Sequence, residues 1–180
     1  MNQVFWLGSN NARHRLTIAG TYDFPLGKGR KFGSAMHPVL NAVIGGWQVS
    51  GIYTYRSGEF LRFGGADVSG DPFIDNPGPQ KWFNTDAFRV QTPFTPRTNP
   101  YQYSGMTGPI FWNVDGTVSK TFPVKERYKL EFRFEAYNLT NSLMWANPNT
   151  TPGNSLFGRS TTQATTNRGR EMQYTLRFMF

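Results

Sequence analysis

The 180 residues include no cysteine. That absence excludes disulfides and thiolate-held metals and leaves the redox compartment open. Histidine is nearly as scarce: His14 opens a patterned segment, His37 precedes a proline, and their spacing makes no metal pair. Long apolar runs are missing too. The longest, VLNAVIGGW, falls far short of the roughly 20 residues that a membrane helix needs, and mean hydropathy is −0.51. The first residues, MNQVFWLGSNNARHR, lack the basic, then apolar, then small-residue order of a secretory signal. They read as cytoplasmic or as an internal piece of a longer chain. Acidic side chains are outnumbered 11 to 19, for a net charge of +8. The cations are dispersed, and no aromatic–basic module accompanies them, so no nucleic-acid partner is expected.

Aromatic residues are abundant instead, with 16 Phe, 8 Tyr and 5 Trp beside 19 Gly and 12 Pro. That mixture favours strands and turns. Five segments alternate with a period of two, the pattern of strands with unlike faces. They are placed at 13–24, 46–57, 111–122, 128–138 and 170–180. In the first, Leu16, Ile18, Tyr22 and Phe24 oppose Arg15, Thr17, Thr21 and Asp23. In the second, Trp47, Val49, Tyr53 and Tyr55 oppose Gln48, Ser50, Thr54 and Arg56, with Ile52 breaking the polar side. The third sets Trp112, Val114, Val118 and Phe122 against polar residues, with Lys120 as the exception on the apolar side. The fourth sets Tyr128, Leu130, Phe132 and Phe134 against Lys129, Glu131, Arg133 and Glu135. The last alternates through Met172, Tyr174, Leu176, Phe178 and Phe180.

Each segment runs about ten residues, the length at which a tilted strand crosses a bilayer, whereas globular strands average nearer five or six. The connections alternate as well. A tight turn, PVKER, joins the third and fourth segments, and a connection with a short helix from His37 to Ile44 joins the first and second. Long loops at 58–110 and 139–169 fill the other two junctions. Short turns at one end and long loops at the other are the habit of outer-membrane barrels. The fold class expected is therefore all-β: antiparallel up-and-down strands forming part of a transmembrane β-barrel, with long extracellular loops. The rival is a secreted or surface β-sandwich that buries the same apolar face and binds carbohydrate through aromatic loops. Five strands are too few to close a barrel, since the smallest have roughly eight. Residues 1–12 then read as a partial strand or loop of a longer chain.

The ordered segments HRLTIAGTYDFPLGKGRKF, LNAVIGGWQVSGIYTYRSGEFL, WFNTDAF, GPIFWNVDGTVSKTFPVKERYKLEFRFEAYNLTN, NPNT and FGRSTT resemble the C-terminal part of TonB-dependent receptors. The similarity is to the Oar-like subgroup, which carries a carboxypeptidase-regulatory-like domain, and it runs from about Arg13 to Phe180. The GGWQ and FWNVD pieces are its most specific parts. The resemblance implies a Gram-negative outer-membrane barrel of about 22 strands, with a plug and a TonB box elsewhere in the full-length receptor. It implies energised uptake of a bulky ligand, with this segment inactive alone. The partners it implies are outer-membrane lipid, the remaining strands and plug, TonB indirectly, and the barrel-assembly machinery. Tyr174, Leu176, Phe178 and Phe180 match the terminal pattern that this machinery is thought to read.

No catalytic constellation, metal site or cofactor is expected. Asp67, Asp71, Asp75 and Asn76 offer oxygens, but in no EF-hand spacing. GKGRK (Lys28, Arg30, Lys31) lacks the Walker pattern and reads as a basic turn near lipid headgroups. The residues expected to face lipid are Trp47, Val49, Tyr53, Tyr55, Trp112, Val114, Tyr128, Leu130, Phe132 and Phe134. Lys129, Glu131, Arg133 and Glu135 are expected to face the lumen as a charge ladder with neighbouring strands. Phe73, Trp82, Phe83 and Phe88 are candidates for stacking on a ligand, with internal packing of the loop as the alternative.

Overall fold

Five alternating segments become five long strands: β1 (Arg15–Asp23), β2 (Trp47–Arg56), β7 (Phe111–Pro123), β8 (Lys129–Tyr137) and β9 (Glu171–Met179). Between β2 and β7 lie four short strands, β3 (Phe60–Arg62), β4 (Ala66–Val68), β5 (Phe88–Val90) and β6 (Gln102–Thr107). The computed structural model describes residues 12–96, 99–100, 102–123 and 127–180. The middle of the PVKER turn and nearly all of the segment expected as residues 1–12 fall outside the described residues.

The long strands form one sheet in the order β1–β2–β7–β8–β9, an up-and-down meander. Its β7–β8 and β8–β9 pairs are antiparallel, with Phe134 opposite both Val118 and Tyr174. Hydrogen bonds from Phe24 N–H to the Trp47 carbonyl and from Ser57 N–H to the His14 carbonyl show the same sense for β1 and β2. β1 and β9 are the two edges, and the sheet does not close on itself. Helix α1 (Pro38–Ile44) lies in the β1–β2 connection. Its start follows from Pro38 at the first helical position, where the missing N–H costs nothing, and from His37, whose Nδ1 accepts the Val39 N–H at 3.4 Å.

The chain divides into two compact units. The sheet unit comprises residues 16–54, 113–142 and 168–180. It contains only one buried apolar residue, Ala136, among those described. Tyr174 and Leu176 are 69% and 68% exposed, and Leu16, Ile18, Tyr22 and Phe178 are exposed with them. A sandwich would cover this face with a second sheet, and no such layer exists among the described residues of the unit. Each large apolar side chain left in water forgoes roughly 1.5–3 kcal/mol of transfer free energy. A row this long is tolerable only against another apolar medium.

The second unit comprises residues 1–15, 55–112 and 143–167, and here the expected open loops prove to be folded. β3 pairs antiparallel with β6, and β4 with β5. Around them Leu61, Phe63, Ala66, Phe83, Ala87, Phe88 and Met106 form a buried core, with Trp82, Tyr103 and Phe157 against it. Phe63 stacks on Phe88 with ring centroids 4.5 Å apart and meets the edge of Phe83 at 4.9 Å. The segments 58–110 and 139–169 are therefore not bare loops. They carry a small hydrophobic interior centred on the rings of Phe63, Phe83 and Phe88.

Asn138 builds the corner that ends β8. Its backbone takes a positive φ of 49°, which Asn tolerates better than most residues, and its side chain is buried. The Asn138 amide donates to the Ser142 and Arg168 carbonyls at 3.1 and 2.8 Å, and its oxygen accepts the Ser142 N–H at 3.0 Å. Its own N–H donates to Asp115 on β7 at 2.9 Å. One side chain thereby ties the exit of β8 to the approach of β9.

Candidate functional site

The register lays out two unlike faces. On one lie the cross-strand rows Val118–Phe134–Tyr174, Lys120–Phe132–Leu176 and Phe122–Leu130–Phe178. On the other lie Thr117–Glu135–Gln173, Ser119–Arg133–Thr175 and Thr121–Glu131–Arg177. Ring contacts knit the first face together: Phe134 to Tyr174 at 5.0 Å, Tyr128 to Phe178 at 5.7 Å, and Trp47 to Phe132 at 6.3 Å. Strand alternation puts Trp112 and Val114 on the Val118 side of β7, and Val49, Tyr53 and Tyr55 on the Trp47 side of β2. Within the sheet unit, Trp47, Val49, Tyr53, Val114, Tyr128, Leu130, Phe132 and Phe134 thus lie on the same face of their strands. The Phe180 ring stands 6.3 Å from that of Phe178, beyond the end of β9.

On the polar face the charges pair along β8 itself. Arg133 donates to Glu131 at 2.8 Å and lies 3.9 Å from Glu135. The cross-strand neighbours of Arg133 are the uncharged Ser119 and Thr175, so its ion pairs run along β8, while Glu131 stands directly opposite Arg177 on β9. Lys129 is exposed at the end of the same row.

Lys120, the exception on the apolar side, is only 3% exposed. Its ammonium donates to the Val43 carbonyl near the end of α1 at 3.1 Å, and the Trp47 indole N–H donates to the same oxygen at 2.8 Å. The ammonium also lies 5.3 Å from the Trp47 ring centre and 5.0 Å from that of Phe122. The charged head is thus held by a helix-end carbonyl and two ring faces instead of by water.

The four ring residues expected to meet a ligand separate. Phe83 is fully buried and Phe88 nearly so, both held in the ring core, and neither presents a face to a ligand. Packing of the loop unit claims them. Trp82 is partly buried and donates its indole N–H to the Thr107 carbonyl at 2.7 Å. Phe73 alone is well exposed. The loop unit offers a different cavity, of about 280 Å³, lined among others by Arg56, Glu59, Phe111, Trp145 and Asn147. Arg56 lies 3.7 Å from Glu59 and 5.6 Å from the centre of the Phe111 ring, and the Asn147 amide donates to Glu59 at 3.3 Å. Hydrogen-bonding groups of both signs beside aromatic rings suit a polar ligand with stackable faces. The strand signal of Arg56 and the scatter of the others along the chain concealed this grouping in the sequence.

Asp71 is engaged locally, accepting the Phe73 N–H at 3.0 Å. Among the described residues no group of three or more His, Asp or Glu side chains is placed to hold a metal ion.

An antiparallel meander with one uncovered aromatic face and one charged face is the wall of a membrane β-barrel, and these strands form a partial segment of such a wall. The chain matches the family described as "Outer membrane beta barrel domain" across residues 7–173, and it belongs to that family. It is a protein of the outer membrane. No curated protein and no solved structure matches it.

Proposed function

We propose that this chain forms part of the barrel of a TonB-dependent receptor of the Oar-like group and serves energised uptake of a bulky ligand, without catalysis. The ordered motifs from HRLTIAGTYDF to FGRSTT support the reading. The observation that carries it is the pair of open edges: β1 and β9 flank a sheet that does not close, with apolar residues exposed along both. An edge of that kind is an aggregation hazard unless another strand pairs with it. In the receptor, further strands complete the cylinder, and a plug lies against the Glu131–Arg133–Glu135 face. β9, with Tyr174, Leu176 and Phe178 alternating outward and Phe180 beyond them, is the strand offered to the barrel-assembly machinery. The Arg56–Glu59–Trp145 cavity is the part of the loops that contributes to ligand contact.

An antibody raised against residues 58–96 tests the reading in outer membranes of the native cells. The expected band is a polypeptide several times longer than this chain, and its deletion should abolish a TonB-dependent growth or uptake phenotype. A band of this chain's own size, or uptake indifferent to loss of TonB, would exclude the receptor role.

A further inference from the structure

The β1–β2 connection is a built structure. Gly27 N–H donates to the Phe32 carbonyl and Phe32 N–H to the Pro25 carbonyl, each at 2.9 Å, closing the GKGRK turn. The turn is seated on α1 through Asn41, whose side-chain oxygen accepts the Lys28 N–H at 2.7 Å. The seat is tight: a Cβ on Gly27 would stand 2.6 Å from that oxygen and 2.9 Å from Gly45 Cα, and the φ of Gly27 is +116°. Only glycine fits there.

This seat holds Lys28 and Arg30 at a cavity of about 360 Å³ whose other walls include Lys120, Leu26, Ala42 and Phe122. Three cations line it and no carboxylate does. The Lys120 ammonium spends one donor on the Val43 carbonyl, and an ammonium has three. Beside the cavity, α1 has no charged side chain, and Val39, Leu40, Val43 and Ile44 are all exposed. An apolar helix next to a basic cluster is the composition of a segment lying in the boundary between headgroups and acyl chains. Strand parity places this connection at the same end of the sheet as the short β7–β8 turn, which in outer-membrane barrels is the periplasmic end.

We propose that this cavity binds the headgroup phosphate of a phospholipid from the periplasmic leaflet. Lys28 and Arg30 take the phosphate, Lys120 contributes from the inner wall, and the acyl chains lie against α1 and the apolar sheet face. A soluble phosphate would leave the exposed aliphatics of α1 unexplained, whereas a phospholipid satisfies both halves of the surface. The inference rests on the sheet lying in a bilayer and is independent of what the receptor imports.

The test is native mass spectrometry of the full chain folded in detergent, titrated with phosphatidylglycerol, phosphatidylethanolamine, diacylglycerol and inorganic phosphate. Protease protection of β7–β9 in vesicles is measured in parallel. The expected result is one retained phospholipid per chain, with affinity at least tenfold lower in Lys28→Gln/Arg30→Gln. The charge-matched control Arg89→Gln/Arg159→Gln should leave affinity unchanged, and inorganic phosphate should not compete. Equal retention in both double variants, or diacylglycerol retained as well as the phospholipids, overturns the proposal. If the strands are protected and the affinity is unchanged by the rim variant, the headgroup site alone fails. If the strands are unprotected, the bilayer reading falls with it.

Discussion

Phe134 on β8 stands directly opposite Tyr174 on β9, ring centroids 5.0 Å apart, with Phe134 half-buried and Tyr174 69% exposed. Two large rings placed to contact each other, yet left open on their outer side, are stabilised by their mutual contact and by whatever medium adjoins them. One residue along, Glu135 and Gln173 pair on the opposite face. The sheet therefore has two unlike faces, one of uncovered rings and one of polar and charged side chains.

Charge placed on the two faces should have unequal consequences. Leu176→Arg sets a guanidinium on the ring face and should lower stability in a bilayer by about 2–4 kcal/mol, the depth-dependent cost for a barrel's lipid side. Thr175→Arg, its neighbour on the polar face, should change stability by less than about 1 kcal/mol. Denaturant unfolding of the two variants in vesicles measures the contrast. Equal effects would mean that the faces are not differently solvated.

The ring core of the loop unit predicts a separate sensitivity. Phe83 has no exposed surface and touches Phe63, Phe88 and Phe157 at centroid distances of 4.9 to 5.3 Å. Phe83→Ala should leave a cavity and cost about 3–5 kcal/mol. Faster proteolysis within residues 58–96, with the long strands still protected, is the expected readout. An unchanged cleavage rate would show that this core does not hold the loops.

The corner at Asn138 allows a finer dissection. Asn138→Gly keeps the backbone conformation and loses three side-chain hydrogen bonds, leaving buried partners unsatisfied at about 1–3 kcal/mol. Asn138→Ala loses the same bonds and adds strain of roughly 1–2 kcal/mol at positive φ. Alanine should thus be worse than glycine by that increment. Equal unfolding midpoints would mean that φ carries no strain at this corner.

These variants fall on elements of unequal legibility. The long strands could be read because each repeats its alternation over several pairs, so a single exception such as Lys120 or Ile52 does not erase the period. The helix before β2 was visible in His37–Pro38 and the apolar residues after it. The loop unit was not. β3, β4 and β5 have three residues each, too short to show a period, and their partners are remote: Phe60 faces Thr107 and Ala66 faces Val90. Pro, Gly and Asn between them give the composition of an irregular segment, and only the pairing shows that Phe83 and Phe88 are interior. For the same reason the cavity of Arg56, Glu59, Trp145 and Asn147 could not be assembled from spacing.

Alkaline pH provides a test confined to the loop unit. Tyr103 packs edge-on to Phe63, Phe73 and Phe88, and its hydroxyl donates to the buried Asn99 side chain. Burial removes water from the phenol and raises its pKa above the usual value of about 10. The unfolded chain therefore releases this proton at lower pH than the folded one. The contribution of Tyr103 to stability is complete below about pH 10 and is lost as pH rises through the folded value. Unfolding midpoints of the loop unit, followed by near-ultraviolet dichroism, should fall as pH rises above about 10. Tyr103→Phe keeps the ring packing, removes the proton and should fall less steeply over the same range. If the variant and the parent chain lose stability in parallel, the alkaline sensitivity arises elsewhere and the Tyr103–Asn99 contact is not its source.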